Sequence, residues 1–288
     1  MGYIFCQNNV KTMIISSLFL LAGGSVGCGM ELPSPPPDIF YKFNVLKVGR
    51  GPAALLTVDL NLDGFPDLVS VNAKNSTLSI LLGKGDGTFS KALTFQVASE
   101  PTSIVTGDVD GNGIPDLLIN ARGAGQFTTL LGYGNGSFLR LPGIRTGKVP
   151  LAIIPADFDN DGKLDVAVTL TFDKMEIFLG SGNGTFKKKE TYLTGSRSLS
   201  GVVGDFGGDG NIDIALATSS SVSSAIRLYK GMGDGTFSKP KIFAKDLVPL
   251  TLIKKDMNNN GLQDLIFSAG QGDNMYMLLS RGDGTFEK

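Results

Sequence analysis

Short apolar runs separated by polar turns make up most of the chain after residue 40. Within residues 103–144 the runs are SIVTGD, DLLINA, QFTTLLG and SFLRLPGI, and each pair is separated by a glycine-containing polar segment. Runs of this length, bounded by turn residues and without a sustained helical period, are typical of β-strands. The pattern predicts an all-β domain of short strands.

The runs differ in how they alternate. The run after each acidic segment is almost wholly apolar, as in DLVSV, DLLIN, DVAVT, DIALA and DLIFS. Such strands are expected to be buried on both faces. The following run alternates, with apolar residues at Leu78, Ile80 and Leu82 in the first copy. The order therefore predicts central strands flanked by partly exposed ones.

Two motifs recur in step along the chain. Acidic nine-residue segments begin at Asp59, Asp108, Asp157, Asp205 and Asp256, which lie 49, 49, 48 and 51 residues apart. Glycine turns of the form GDGTF or GNGSF begin at Gly85, Gly134, Gly182, Gly233 and Gly282. A period of about 49 residues with four strands per repeat is typical of a β-propeller blade.

The ends of the array predict how the ring closes. The last copy ends at Phe286 and has no segment for a fourth strand. The segment from Phe40 stands at the same distance before an acidic loop as the fourth strands of the other copies, but no first three strands precede it. Pairing the two would leave no exposed sheet edge. We therefore expect a β-propeller of five four-stranded blades over residues 40–288, closed by the N-terminal strand. The alternative is that the chain is part of a truncated seven-bladed propeller.

Residues 1–27 are predicted to be an export signal. Lys11 is the only charged residue before residue 31, and TMIISSLFLLAGG is apolar but too short to span a bilayer. The segment SVGC, ending at Cys28, resembles a bacterial lipobox, although Ser25 departs from the usual aliphatic residue. The resemblance implies lipidation of Cys28, with residues 28–39 as a proline-rich tether. Ordinary cleavage that leaves Cys28 as a plain thiol is the alternative.

Composition narrows the chemistry. The chain of 288 residues has no His, which excludes histidine-based nucleophile triads and most zinc sites. Loss of Cys6 with the signal and lipidation of Cys28 would leave no cysteine pair for a disulfide. A bound metal is then the expected stabiliser of the exported domain.

The acidic segments have the ligand spacing of a calcium loop. Oxygen-bearing side chains recur at positions 1, 3, 5 and 9, and Gly at position 6 permits a tight turn around a hard cation. Position 12 falls in an apolar strand, which excludes an EF-hand. Solvated turns without metal are the alternative. The candidate Ca²⁺ ligands are Asp59, Asn61, Asp63, Asp67, Asp108, Asp110, Asn112, Asp116, Asp157, Asp159, Asp161, Asp165, Asp205, Asp209, Asp213, Asp256, Asn258, Asn260 and Asp264.

The loops are not equally acidic. The loop from Asp157 has four Asp, whereas Gly207 replaces the third-position ligand of the fourth loop and the fifth loop has only two carboxylates. Because affinity for calcium depends on the number of charged ligands, the fourth and fifth sites are expected to be weak.

The paired motifs resemble the FG-GAP/VCBS repeats, which include the calcium-binding propellers of integrin α subunits. The resemblance covers residues 40–288 and implies that calcium lies between the first two strands of each blade, where it has a structural role. The RGD at Arg281–Asp283 is interpreted as one more glycine turn, and KKKE at Lys187–Glu190 as a solvated strand edge.

We expect a calcium-stabilised, non-enzymatic binding or adhesion module for glycan or protein, lipid-anchored in the cell envelope at the outer membrane or cell surface. No nucleic acid partner is expected. The ligand should bind the face opposite the acidic loops, where the loops vary between copies. Candidate contacts there are Arg50, Lys74, Glu100, Arg122, Lys148, Phe172, Asp173, Arg197 and Asp273.

Two other functions remain open. The domain could be a structural subunit of an envelope assembly. It could also be a polysaccharide lyase or hydrolase, in which case acids outside the metal loops, such as Glu100, Asp173 and Asp273, would have to converge.

Overall fold

The computed structural model describes residues 45–220, 223–270 and 273–287. The chain divides into two compact units, residues 1–47 and 48–288, and the twenty strands of the described residues lie in the second unit. No helix among the described residues is long and apolar enough to cross a membrane. The predicted signal segment, Cys28, the tether and the strand from Phe40 lie outside the described residues.

The strands form five antiparallel sheets whose order follows the chain. Sheet 1 contains β1 (Pro52–Val58), β2 (Asp67–Asn72), β3 (Thr77–Leu81) and β4 (Leu93–Gln96). Sheet 2 contains β5 (Pro101–Gly107), β6 (Asp116–Ala121), β7 (Gln126–Gly132), β8 (Phe138–Arg140) and β9 (Ile144–Arg145). In sheet 2, both β8 and β9 pair with β7, so its outer strand is interrupted.

The other three sheets repeat this order. Sheet 3 contains β10 (Pro150–Ala156), β11 (Asp165–Leu170), β12 (Lys174–Gly180) and β13 (Phe186–Leu193). Sheet 4 contains β14 (Arg197–Gly204), β15 (Asp213–Ser219), β16 (Ala225–Tyr229) and β17 (Lys241–Phe243). Sheet 5 contains β18 (Pro249–Lys255), β19 (Asp264–Ala269) and β20 (Met275–Leu278).

Each acidic segment is the connection between the first two strands of a sheet. Val58 pairs with Asp67 at the end of the β1–β2 ladder, and Gly107 pairs with Asp116 in sheet 2. The loop therefore starts just after one strand and returns to the chain at the first residue of the next. This local geometry agrees with the strand positions expected from the sequence.

Apolar faces of successive sheets pack together to form the core. One cluster joins Val69 and Ile80 of sheet 1 to Leu117 and Ile119 of sheet 2, and similar clusters join the later sheets. The first strand of every sheet also contacts the first strand of the next. Four-stranded antiparallel sheets stacked in chain order define an all-β, propeller-like fold.

The closure of a five-bladed ring is not confirmed. Among the described residues, β20 pairs only with β19, and residues 45–49 carry no strand. Met275 is 81% exposed, whereas its counterparts in the other four sheets are fully buried. These counterparts are Leu78, Phe127, Met175 and Ile226. The blade number and the closing strand therefore stay predictions.

Candidate metal loops and the opposite loop face

The ninth residue of every acidic loop is a buried Asp that joins two parts of its sheet. Asp67 accepts a hydrogen bond from Leu60 N through Oδ2 (2.8 Å) and from Gly83 N through Oδ1 (2.7 Å). The same pair of bonds recurs at Asp116, Asp165, Asp213 and Asp264. All five side chains are 0% exposed. The spacing of the acids predicts this position as a metal ligand only, and its structural role is a finding of the structure.

The first residue of each loop holds the turn. Asp157 Oδ2 accepts a hydrogen bond from Gly162 N (2.9 Å), and Oδ1 accepts one from Asp161 N (3.2 Å). Asp59, Asp108, Asp205 and Asp256 accept the equivalent bonds. Gly162 has φ +80°, a conformation that favours glycine, which explains why position 6 is Gly in every copy.

Three carboxylates converge in two of the loops. Asp108, Asp110 and Asp116 form one group, and each residue offers an oxygen within 4.8 Å of the others. Asp157, Asp159 and Asp165 form the second. Among the described residues these are the only three-acid groups that meet this distance. The convergent positions are 1, 3 and 9.

The fifth position lies outside both groups. Asp161 is paired with Lys163 (Oδ2–Nζ 2.6 Å), and Asp209 with Lys230 (3.0 Å). The side-chain oxygen at position 5 also accepts the backbone N–H two residues later, as Asn112 does from Ile114 (2.7 Å) and Asn260 from Leu262 (2.8 Å). Asp63 accepts the matching bond from Phe65 N (2.9 Å). A role of position 5 as a ligand stays a prediction.

The third position also supports the loop backbone. The Oδ1 atoms of Asn61, Asp110, Asp159 and Asn258 lie 3.2–3.4 Å from the backbone nitrogen two residues later and accept its hydrogen bond. The fourth loop has Gly207 here and thus no side-chain oxygen at this point. Only the loops from Asp108 and Asp157 therefore have an acid at each of positions 1, 3 and 9.

Burial raises the pKa of the ninth-position carboxyl in three of the loops. Burial raises the pKa of Asp165 to about 6, against the restraining hydrogen bonds from Gly180 and Phe158, and the charges of Asp159 and Asp157 raise it further. Burial likewise raises the pKa of Asp116 and of Asp213. The ionised form of these buried carboxyls is therefore unfavourable in the absence of a cation, and a bound divalent cation would stabilise it.

The donor set fits a hard cation. Carboxylate oxygens at positions 1, 3 and 9 are the ligands that calcium prefers, and each oxygen has a second lone pair besides the one used by a backbone N–H. Bound at the loops from Asp108 or Asp157, calcium would neutralise the facing carboxylates and hold the two ends of the β-hairpin connection together.

The glycine turns link each sheet to the one before it. Gly184 N donates to Val109 O of the preceding acidic loop (3.3 Å), and the same bond joins three other pairs. These pairs are Gly136–Leu60, Gly235–Phe158 and Gly284–Phe206. The Phe that ends the turn packs the same way, since Phe237 lies 5.4 Å from Phe158 (ring centroids). The contact between the glycine turn of one sheet and the acidic loop of the preceding sheet explains why the two motifs recur with the same period.

The variable loops lie on the opposite side of the sheets. Because consecutive strands are antiparallel, the β2–β3 loop and the connection to the next sheet share one end, away from the acidic loops. Lys74 N donates to Arg50 O (3.2 Å), and Arg122 N donates to Glu100 O (2.9 Å). All nine predicted ligand contacts are exposed. The loop face, as we call this side, comprises residues 49–51, 73–76, 98–100, 122–125, 147–149, 171–174, 195–197, 220, 223–224, 245–248, 270 and 273–274.

The acids proposed for an enzymatic alternative form no cluster of this kind. Glu100, Asp173 and Asp273 belong to neither of the described three-acid groups. Glu100 and Asp173 have φ values of 50° and 47°, so both occupy tight turns.

Two buried charged residues on the third strands went unnoticed in the sequence. Glu176 is 4% exposed, pairs with Lys188 and accepts a hydrogen bond from Gly147 N (2.8 Å). Arg227, at the equivalent place in sheet 4, is 6% exposed. The pairing of Glu176 with Lys188 also gives the KKKE run a contact beyond a solvated edge. The other three sheets have the uncharged Ser79, Thr128 and Tyr276 at this position, so a charged residue there was the available signal.

Comparisons with known proteins agree with this architecture. The molecule is a propeller-like repeat protein with acidic hairpin loops. A family model of the FG-GAP-like repeat matches residues 59–119 and 157–216, so the chain carries FG-GAP-like repeats. No curated protein sequence matches the chain.

Solved structures share the fold at low identity. An Agrocybe aegerita lectin that recognises non-reducing terminal N-acetylglucosamine is 18% identical, with a TM-score of 0.56, and the match covers 82% of this chain and 65% of the lectin. The V. cholerae biofilm matrix protein Bap1 is 15% identical, with a TM-score of 0.51, over 82% of this chain and 39% of Bap1. A candidate 6-phosphogluconolactonase from Bacteroides uniformis is 14% identical, with a TM-score of 0.61, over 82% and 68%. The chain thus spans less than two thirds of the first two proteins.

Proposed function

We propose that this protein is a calcium-stabilised, non-enzymatic module that binds a glycan or protein ligand through its loop face. The observation that carries the proposal is the division of the sheets into two ends. One end repeats the same acidic loops and glycine turns, and the other presents exposed, varied side chains. Varied loops on a rigid repeated scaffold are a common arrangement for binding sites.

The acidic loops supply the rigidity in this proposal. Their first and ninth residues orient the backbone, and in the loops from Asp108 and Asp157 carboxylates at positions 1, 3 and 9 are available to Ca²⁺. The glycine turn of the next sheet donates a hydrogen bond to the carbonyl of the second residue of the acidic loop. A more rigid loop would therefore also restrict the motion of the neighbouring sheet. Calcium would therefore stiffen the connections between sheets as well as each hairpin.

The loop face offers chemistry suited to sugars. Arg122, Lys148 and Arg197 can donate several hydrogen bonds, and the exposed ring of Phe172 (61% exposed) can stack on an apolar sugar face. The fold similarity to a lectin and to a biofilm matrix protein supports a binding role without identifying a ligand.

A glycan-array screen of the calcium-loaded protein tests the proposal. Replacing Arg122, Lys148 and Arg197 together with Ala should abolish binding. The matched control replaces Lys84, Lys91 and Lys239, which are exposed away from the loop face, and should retain binding despite the same loss of charge. If both variants lose glycan binding to the same extent, the ligand does not depend on this face. If neither the parent nor the control variant binds any glycan, the array likewise counts against a glycan ligand on this face.

The proposed location is the cell envelope, through a lipid on Cys28. Replacing Cys28 with Ser should release a soluble protein or leave an uncleaved precursor. Intact-mass analysis of the membrane fraction should show a lipidated N-terminal Cys28, and an unmodified thiol there would refute the anchor.

We further propose that the strand from Phe40 completes sheet 5 and closes the ring. Among the described residues no strand pairs with the outer edge of β20, and Met275 and Met277 are 81% and 49% exposed; both observations support an apolar surface that another strand covers. Met275→Asp should then lower the melting temperature, and the same change should add little once residues 40–44 are deleted. If Met275→Asp has no effect in the full chain, the face is open to a separate protein, as a subunit of an envelope assembly would require.

A further inference from the structure

A cavity of about 260 Å³ opens on the loop face of sheet 4. It is lined by the end of the β15–β16 loop, by β16, by β17 and by the β17–β18 connection. Its polar residues are Ser223, Ser224, Arg227, Lys245 and Asp246. This volume is below the roughly 300–1,000 Å³ of sites for drug-sized ligands, so the cavity has room for one small group.

Arg227 is a buried cation without a described acidic partner. Its side chain is 6% exposed, Nη2 donates to Ser223 Oγ (2.8 Å), and Nη1 donates to Thr218 Oγ1. Both partners are neutral hydroxyls. The three ion pairs among the described residues involve Lys163, Lys188 and Lys230, so no described carboxylate lies within 4.0 Å of the guanidinium.

Glu176, the residue of sheet 3 equivalent to Arg227, is a buried charge that has an ion-pair partner. Glu176 occupies the same place in β12 and is similarly buried, but it has Lys188 as a counter-charge. Asp246 lines the same cavity as Arg227, yet its carboxylate forms no ion pair with the guanidinium. The cavity therefore contains an acid that makes no direct ion pair with the cation.

An unneutralised buried cation is energetically costly. Burial lowers the pKa of Arg227, which reports the loss of hydration of its charged form. A guanidinium nevertheless remains protonated in proteins, so it cannot relieve this cost by losing its proton. Buried charges are normally paired, and a cavity beside the guanidinium is where a counter-charge from solution can enter.

We propose that this cavity binds a small oxyanion, the carboxylate or sulfate of an acidic ligand, on the guanidinium of Arg227. Planar guanidinium groups hold such anions through two parallel N–H···O bonds. Lys245 adds a second positive charge, and the Ser223 hydroxyl already contacts the guanidinium and can donate its own proton to the anion. The proposal rests on the proposed function because it names the ligand chemistry of one part of the loop face.

Calorimetric titration of the calcium-loaded protein with sodium glucuronate, sodium sulfate and neutral glucose tests the site. Saturable binding of at least one anion, and none of glucose, is expected. Binding of both anions would define a general oxyanion site, and binding of glucuronate alone would define a sugar-acid site. Absence of saturable binding by either anion would overturn the proposal.

Variants assign the binding to this cavity. Arg227→Gln should weaken the affinity at least tenfold, Lys245→Gln severalfold, and the exposed control Lys239→Gln not at all. Lys245→Gln keeps the test valid if the Arg227 variant does not fold. Anion affinity unchanged in both cavity variants would overturn the site. Glycan-array binding that persists with unchanged strength in Arg227→Gln would retain the proposed function and reject this anion site.

Discussion

Asp67 and Gly83 are joined across sheet 1 by a hydrogen bond of 2.7 Å from the glycine N–H to Oδ1, although they lie 16 residues apart. The other oxygen of Asp67 accepts the N–H of Leu60 in the acidic loop. One buried carboxylate thus connects the loop, the second strand and the end of the third strand. Because both of these bonds are to backbone N–H groups, this residue has a role in the fold as well as a candidate role in calcium binding.

Asp67→Asn should destabilise the calcium-free domain. The amide keeps one acceptor oxygen but places its NH₂ group against a backbone N–H, which leaves a buried donor unsatisfied at a cost of about 1–3 kcal/mol. Urea unfolding in calcium-free buffer measures the effect. The exposed Asp63→Asn in the same loop is the control and should change stability by no more than about 0.5 kcal/mol. Equal stability of both variants and the parent would contradict the structural role.

Asp159→Asn should stabilise the calcium-free protein but weaken its binding of calcium. Burial and the charges of Asp161 and Asp157 raise the pKa of Asp159, so removing this charge relieves repulsion in the calcium-free protein. Calcium affinity at this loop should nevertheless fall by about tenfold because a charged ligand is lost. Calorimetric titration with Ca²⁺ gives the affinity. An unchanged affinity would show that the loop does not bind calcium through Asp159.

Calcium itself should raise the stability of the parent protein. At a free concentration about 100 times the dissociation constant, each filled site adds roughly 2.7 kcal/mol. A chelator should therefore lower the melting temperature steeply, and the loops from Asp108 and Asp157 should account for most of the effect. The same melting curve with saturating calcium and with excess chelator would refute the metal assignment.

The pH dependence of the calcium-free domain should carry a contribution from Asp165. Its folded-state pKa of about 6 lies above the ordinary value of 3.8. The folded protein therefore binds a proton that the unfolded chain releases, and this stabilisation is present below about pH 4 and lost as the pH rises through 6. The melting temperature of the parent relative to Asp165→Asn should thus be higher at pH 5 than at pH 7 in metal-depleted buffer. A difference independent of pH would contradict the raised pKa.

Gly184 and Gly87 form a matched pair for testing the contact between sheets. Their φ values are +80° and +81°, so alanine introduces similar backbone strain at both. At Gly184 a new Cβ would also lie 2.7 Å from Leu141 Cδ1, whereas nothing lies within 4 Å at Gly87. Gly184→Ala should therefore destabilise the domain by about 1 kcal/mol more than Gly87→Ala, as overpacking usually does. Urea unfolding of the two variants tests this, and equal losses would show that the turn does not pack tightly on the preceding sheet.

Local patterns were the part of the fold that could be read from the chain. The apolar run DLLINA became β6, and QFTTLLG became β7, because strand formation there depends on alternation and on the turns at each end. The same reasoning identified every acidic loop as a hairpin connection. It could not identify which carboxylates converge, since Asp159 and Asp161 have the same side chain, yet Asp159 belongs to the three-acid group and Asp161 pairs with Lys163.

The amino-acid sequence by itself determined the strands, the repeat of about 49 residues and the oxygen-rich loops, because each depends on residues close together in the chain. Only the tertiary structure decided that the ninth Asp is buried between two backbone donors, that four of the glycine turns bond to the loop of the preceding sheet, and that Arg227 is buried without an ion-pair partner among the described residues. These features depend on neighbours that lie far apart in the chain or, as around Arg227, on how loops enclose a side chain. The burial of these side chains, and the direction of the N–H groups that surround them, therefore determine the chemistry of the acidic loops and of the Arg227 cavity.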